Sequence, residues 1–450
     1  MAAHDLKQSA REIFADALRG LDAGRAVREA VQLDGAQLSI VDQKFALASC
    51  SRVYSIAIGK AAHAMASALR DVLGARLTRG VVSAPQTSEP LPAQWQVFAG
   101  GHPLPNEASL AAGRAARALL SAADAPDVLI IFLISGGGSA MLEWPRGRSV
   151  TLADLRTTNR MLVTCGAPIA EVNAVRRALS AIKGGGLSAL APRATQVSLI
   201  VSDTNPGALA QVASGPTFAQ IEQTTHEIAD ILERYQLRQQ LPASVLRALD
   251  DARTNEANGS PRQNADGLQR HYLLLDNERA KRLAAEAARA RGFAVEICDE
   301  LIEAPVEVGC RELVARLLRL RRERTDARAV CLVSGGEFVC PVRGDGTGGR
   351  NAEAALRSAV EFAAHAEEIK RAGWRVAALH AGTDGVDGNS PAAGAVADET
   401  TIRRARECGL DAADFLARSD AYNFFRQLND TVETGPTGTN VRDLRILLAV

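Results

Sequence analysis

The run VLIIFLI at residues 128–134 constrains the fold more than any other stretch of this chain. Neither alternation of it is polar, so a strand made from it has both faces covered, as at the centre of an α/β sheet. It ends in Ser135-Gly136-Gly137-Gly138-Ser139 and a short apolar segment, the pattern of a strand turning tightly into a helix. Amides in such a turn converge on a carboxylate or phosphate, unless the glycines serve the turn alone. Other apolar runs end the same way: 52–58 at Gly59-Lys60, 196–201 at Ser202-Asp203, and 329–333 at Ser334-Gly335-Gly336-Glu337. Repeated strand, turn and helix predict the α/β class.

A chain of 450 residues exceeds what one hydrophobic core usually serves. Two Rossmann-like or mixed-sheet α/β domains are expected, at residues 1–250 and 268–450, with the apolar-poor segment DDARTNEANGSPRQNADG at 250–267 as the linker. Residues 271–275, 277–291 and 294–298 read as a β-α-β unit that opens a parallel sheet in the second half, and 445–450 as a strand closing a sheet edge. The paired Ser-Gly-Gly turns suggest that the two carboxyl edges face a shared active-site cleft.

Lys plus Arg equal Asp plus Glu at 52 each, which argues against a general nucleic-acid or membrane-surface binder and for a small-molecule ligand. Seven cysteines without a CxxC pair suggest reduced core thiols rather than zinc or a disulfide framework. No signal core and no apolar run of about 18 residues occurs, so the cytoplasm is the expected compartment.

The segment SGGEFVCPVRGDGTGGRN at 334–351 is either a phosphate loop or a glycine-rich hairpin tip. In the first reading Gly344, Gly346, Gly348 and Gly349 let the backbone approach a ligand, and the helix beginning near Arg350 offers its free amides. Lys60, in a strand-to-helix turn, suits a phosphate oxygen or is a solvated surface lysine. Asp203, at a strand's carboxyl end, either accepts a hydroxyl proton or holds Mg²⁺ through water, or caps its turn. Arg176 and Lys183 are expected on one face of one helix, towards a ligand or water. Asp384 and Asp387, three apart, bind a cation or cap turns. His102, in GHPLPN, is more often structural than catalytic when alone.

The motifs GKAA, GHPLPN, ISGGGSAML, NAVRRALSAIKGG, VSD…ASGPT, SGGE…GDGTGGRN, GTDGVDG and GPTGTNV occur in this order. With them the chain resembles the glycerate 2-kinase family, whose members join an N-terminal kinase domain to a leucine-rich C-terminal domain found across many organisms. The likeness runs from about residue 10 to the C-terminus. It implies ATP and Mg²⁺, D-glycerate as the acceptor at its 2-hydroxyl, and catalytic roles at Lys60, Asp203 and Arg350. The chain departs from the family pattern at Thr204-Asn205-Pro206-Gly207, Ala178, Phe338-Val339 and Ala352.

Phosphoryl transfer asks mainly for positioning and charge neutralisation. The expected assignment puts the acceptor carboxylate on residues 135–139 with Arg176 and Lys183. It puts the ATP phosphates on Gly335, Gly336, Glu337, the 344–349 glycines, Asn351 and Asp384. The metal ligands are not readable, and a monomer or homodimer is expected. In an open cleft Arg350 should matter little to folding. Two other classes fit parts of the pattern. An NAD(P)H-dependent hydroxypyruvate reductase would use G-x-G-x-x-G at 344–349, and a non-catalytic sugar-acid sensor would keep only the anion loops.

Overall fold

The computed structural model describes residues 5–47, 52–86, 89–147, 149–218, 225–257, 268–300, 302–324 and 329–450. The chain forms two compact units. One comprises Ala23–Ser202 and Gly207–Leu274; the other comprises the residues up to Asp22, Asp203–Pro206 and Leu275–Val450.

In the first unit a small antiparallel meander, β1 (Val31–Asp34), β2 (Gln37–Ile40) and β3 (Gln43–Ala46), precedes a six-stranded sheet. That sheet contains β4 (Arg52–Ile58), β5 (Leu77–Ala84), β6 (Trp95–Ala99), β7 (Val128–Ser135), β8 (Thr195–Val201) and β9 (Gln269–Leu275), in the order β6-β5-β4-β7-β8-β9. The pairs from β6 through β8 are all parallel. All eight residues of β7 are buried, and each large aliphatic or aromatic side chain so buried contributes roughly 1.5–3 kcal/mol. Helices Ala62–Leu73 and Glu107–Ala122 pack on strands of this sheet. The second starts at a capping box in which Ser109 N donates to Asn106 Oδ1 at 2.8 Å and Asn106 N to Ser109 Oγ at 3.1 Å.

The second unit holds β10 (Ala294–Cys298), β11 (Val330–Gly336), β12 (Val376–Gly382), β13 (Gly394–Asp398), β14 (Thr431–Val432) and β15 (Asp443–Ala449), in the order β10-β11-β15-β12-β13-β14. This sheet is mixed: β10 and β11 run parallel, and β15 lies antiparallel to both β11 and β12. The last strand is therefore central, not the expected edge, because all seven of its residues are buried. The expected β-α-β unit is corrected too, since β9 joins the first sheet and only the helix Asn277–Ala290 and β10 belong to the second.

The first helix, Leu6–Gly20, belongs to this second unit: it buries Leu6, Ala10, Ile13, Phe14 and Ala17 and packs on β12 and β15. Lys7 Nζ fixes it to Asp430 at 2.8 Å. Residues 250–257, expected in the linker, continue the helix Ala243–Ala257, and 258–267 lie outside the described residues. Among the described residues no helix is long and apolar enough to cross a membrane.

Candidate functional site

In the first sheet the chain builds outward from β4 through β5 to β6 and then returns to place β7 on the other side of β4. The loops leaving β4 and β7 thus diverge at their carboxyl ends, the place where open parallel sheets bind ligands. Lys60 follows β4 and the 136–138 turn follows β7. The two turns are laced together: Lys60 N donates to Gly136 O at 2.9 Å, Ala61 N to Ser135 Oγ at 3.0 Å, and Ser135 Oγ to Ile58 O at 3.2 Å. Ser135, expected to bind substrate, is only 2% exposed and its hydroxyl joins the turns. Ser139 Oγ lies 2.9 Å from Ser214 Oγ.

Lys183 also departs from expectation. The helix Ile169–Leu179 ends before it, so Arg176 and Lys183 do not share a helical face. Lys183 is 3% exposed and its ammonium bonds the buried Glu143 carboxylate, which also accepts from Ser180 Oγ at 2.6 Å and Trp144 N at 2.9 Å. A buried ammonium needs such a counterion, and this one is committed to structure. Arg176 Nε donates to Asn159 Oδ1 at 2.8 Å, and burial lowers the pKa of its guanidinium.

In the second unit Arg350 opens the helix Arg350–Ala364. Its Nε donates to Asp443 Oδ2 at 2.6 Å, and one terminal nitrogen donates to Glu337 Oε1 at 2.7 Å and Asp443 Oδ1 at 3.2 Å. Asp443 is 2% exposed, whereas the side chains of Arg350 and Glu337 are about one-third exposed. The accessible half of this bidentate arrangement is therefore the Glu337 half. Burial pushes the Glu337 carboxyl upward, with Asp443 and Asp203 adding to the shift and Arg350 opposing it. Although burial alone would lower it, the net shift of Arg350 is upward, led by Asp443. Asp203 and Arg350 both act on the Glu337 carboxyl, while Lys60 belongs to the other unit.

The supports of this cluster lie in the strands. Gly335 and Gly336 are the last residues of β11, paired with Leu444 and Asp443. Beneath them the buried Arg445 donates to Gly335 O at 2.6 Å and Ser334 Oγ at 3.3 Å, its guanidinium 3.4 Å from the centre of the Phe338 ring. Asn277 Nδ2 donates to Val441 O at 2.7 Å and Asp443 O at 3.0 Å, fixing the start of β15. The departing residue Asn205 donates to Glu303 at 2.8 Å and accepts from Arg442.

The glycine loop differs from expectation in what its amides meet. Gly346 N donates to Arg418 O at 3.0 Å, Thr347 N to Asp420 Oδ1 at 2.8 Å and Gly348 N to Asn389 Oδ1 at 2.8 Å. The loop's neighbour Arg343 donates through its backbone to Ser419 Oγ at 2.9 Å, and Gly344 lies against Arg418. At the helix N-terminus, Asn351 N and Ala352 N donate to the two oxygens of Asp387 at 3.0 and 2.8 Å. The anion expected there is supplied by the chain itself. A Cβ at residue 349 would lie 2.3 Å from Asp387 Oδ1, so only glycine admits this carboxylate so close. Burial raises the Asp387 pKa to about 6 against the pull of these amides. Asn351 Nδ2 also reaches Asp443 Oδ1 at 3.0 Å.

Asp384 caps its own turn by accepting from Val386 N at 3.2 Å, while Asp387 takes the amides of Asn351 and Ala352. Among the described residues no group of three or more His, Cys, Asp or Glu side chains could hold a metal ion.

Sequence reading missed Asp443 and Glu143. Asp443 opens the buried strand β15 and Glu143 follows the short apolar segment Met141-Leu142, so a single acid beside apolar residues was the available signal.

Residues 9–250 match the family described as Domain of unknown function (DUF4147), and residues 330–443 match the MOFRL family. Over 451 residues the chain is 32% identical to "Glycerate 2-kinase" of Pyrococcus horikoshii, covering 100% of this chain and 98% of that protein. It is 34% identical over 401 residues to "Putative hydroxypyruvate reductase" of Agrobacterium vitis, covering 88% of this chain and 99% of that one. The crystal structure of a glycerate kinase from Thermotoga maritima superposes with a TM-score of 0.81 at 30% identity, covering 99% of each chain.

Proposed function

Because the chain belongs to the glycerate kinase family that joins the DUF4147 and MOFRL domains, we propose that it transfers the γ-phosphoryl group of ATP to the 2-hydroxyl of D-glycerate, giving 2-phospho-D-glycerate and ADP. The observation that carries this reading is Lys60 at the point where the parallel sheet reverses its strand order, the place where such sheets take their ligands. An ammonium there has a partner in the charged oxygens of a transferring phosphoryl group.

Each unit contributes its own groups. In the parallel-sheet unit Gly136, Gly137, Gly138 and Ser139 line the acceptor subsite, with Lys60 bearing on the phosphoryl oxygens. In the mixed-sheet unit Arg350 is held through Nε by the buried Asp443. Phosphate oxygens displace the more accessible Glu337 from its outer edge, so one guanidinium keeps a fixed anchor and presents a bidentate face. Asp203 orients or deprotonates the acceptor hydroxyl. Mg²⁺ enters as part of the MgATP substrate and neutralises phosphate charge.

The reductase reading has the name of one relative in its favour. Against it, the G-x-G-x-x-G amides donate to Asp420, Asn389 and Arg418, and Asp387 fills the helix N-terminus that a dinucleotide pyrophosphate would need. The test is to incubate the protein with D-glycerate and MgATP, and separately with hydroxypyruvate and NADH. ADP formation with a phosphorus resonance of 2-phosphoglycerate is expected. NADH consumption without ADP formation would overturn the proposal, and a 3-phosphoglycerate resonance would overturn the position of transfer.

A further inference from the structure

Arg442, the residue just before β15, has φ +72, a backbone conformation that is unfavourable for a bulky side chain and that glycine or asparagine adopts more readily. The main chain holds it there with several bonds. Thr383 N and Thr383 Oγ1 donate to Arg442 O at 3.0 and 2.6 Å, Val441 N donates to Thr383 Oγ1 at 2.9 Å, and Arg442 N donates to Asn440 Oδ1 at 3.0 Å. The side chain that leaves this turn is 4% exposed.

Its guanidinium meets a segment from far away in the sequence. One terminal nitrogen donates to Asn205 Oδ1 and the other to Glu303 Oε1 at 3.0 Å, while Asn205 Nδ2 donates to the same Glu303 oxygen at 2.8 Å. The three side chains thus close a ring of hydrogen bonds. Asn205 lies in Asp203–Pro206, which pack with the mixed-sheet unit although β8 shortly before them belongs to the parallel sheet. Arg442 therefore grips the chain two residues beyond Asp203, and its neighbour Asp443 anchors Arg350. The Glu337 carboxyl, raised chiefly by burial, is also lowered by Arg442 and raised by Asp203, so both charges bear on the partner of Arg350.

Packing alone does not call for an arginine at this turn. Burying a guanidinium forfeits its hydration, and Arg442 Nε is buried with no hydrogen-bond partner among the described residues. Glu303 is 55% exposed along its side chain, so the pair does not seal a core. What the ring does fix is the path of residues 203–206. A strained residue held by its surroundings beside reacting groups is the arrangement expected of a part that positions them.

We propose that Arg442 is a positioning residue that, through Asn205, holds the 203–206 segment where Asp203 meets the acceptor hydroxyl. The proposal deepens the kinase reading and rests on it for the role of Asp203.

The test uses the full-length protein with Arg442→Asn, which suits the positive φ and removes the guanidinium, and with Asn205→Ala, which removes its acceptor at a half-buried position. Misplacing a reacting group can cost roughly 100-fold in rate, so kcat should fall about 10- to 100-fold in each variant. KM for MgATP should be unchanged in both, as should Tm for Asn205→Ala, and the double variant should be no slower than the slower single one. In an Asp203→Asn background, itself slowed roughly 100-fold or more, Arg442→Asn should cost no further turnover, whereas a merely structural arginine would slow both backgrounds alike. Amide hydrogen exchange across residues 203–208 should quicken in both single variants. Unchanged exchange would overturn the hold on the segment. Faster exchange with kcat retained, or an equal loss in the Asp203→Asn background, would overturn the positioning role. If wild type forms no ADP but the exchange still quickens, the hold stands while the kinase reading falls.

Discussion

The turn at 136–138 and the loop at 344–349 read alike in sequence, each a glycine-rich link after a buried strand and before a helix, yet the protein uses them differently. In the first, the two turns bond to each other through backbone and Ser135, and the side chains of Lys60 and His102 gather around a half-buried glycine. In the second, the amides meet Asp420, Asn389 and Arg418, and the helix N-terminus is filled by Asp387. Glycine richness marks where a backbone can come close to an anion; whether that anion is a ligand or the protein's own carboxylate depends on residues far away in sequence. The cation beside the second loop is also committed in part, since Arg350 has a buried acid at its back.

The strongest way to break this contrast is Arg350→Ala. If the guanidinium exchanges Glu337 for phosphate, turnover should fall by roughly 10²- to 10⁵-fold, with a smaller change in KM for glycerate, and Arg350→Lys should also be impaired because one point charge cannot span two oxygens. Asp443 would then lose both bonds from Arg350 and keep the bond from the Asn351 amide in its buried site. The variant should therefore lose roughly 1–3 kcal/mol of stability as well, in place of the indifference expected for an arginine in an open cleft. Turnover within a few-fold of wild type, measured as ADP release, would remove Arg350 from the reaction and leave it a structural partner of Asp443.

Two lysines sharpen the comparison within the first unit. Lys183 and Glu143 side chains are 4% and 6% exposed, and breaking a buried pair by removing one partner costs roughly 3–5 kcal/mol. Lys183→Ala should lower the denaturation midpoint accordingly. Lys60→Ala should leave the midpoint in place and abolish most of the turnover. Urea titration and initial rates on both variants give a crossed pattern. The opposite crossing would exchange their roles.

How far the sequence reaches can be judged residue by residue. β4 and β10 fall on the expected bounds, and β7 and β8 within one residue of them, β7 most plainly because it is a continuous apolar run that only a covered strand can use. The meander β1–β3 escaped notice, since strands of four residues with polar positions carry too little period to stand out. The central place of β15 and the transfer of β9 to the first sheet were illegible for another reason: strand order is a long-range property that local pattern does not encode. The site divides in the same way. The positions of Lys60 and Asp203 shortly after β4 and β8 were legible, whereas Glu143 and Asp443 derive their meaning from a lysine and an arginine that only the folded chain brings near.

The mildest perturbation tests whether the second loop truly carries its own anion. Asp387 is buried, receives amides from Asn351 and Ala352 and from Asn351 Nδ2, and faces Asp443 and Arg350. Its carboxyl titrates near 6, raised from an ordinary value of 3.8, because burial outweighs the amides. An acid raised on folding stabilises the fold fully below its unfolded value, and that stabilisation is lost as pH climbs through the folded value. Wild type should therefore lose stability relative to Asp387→Asn between about pH 4 and 6, by roughly 1–3 kcal/mol. The asparagine keeps one acceptor for the helix amides and has no proton to release. Taking the difference between the two melting curves at each pH cancels the other acids, whose slopes are shared. A difference that stays flat from pH 4 to 7 would mean that Asp387 is ionised throughout, the amides and Arg350 having outweighed burial. In that case the helix N-terminus would hold its carboxylate as firmly as a bound phosphate, and the two glycine turns would differ only in where their anion comes from.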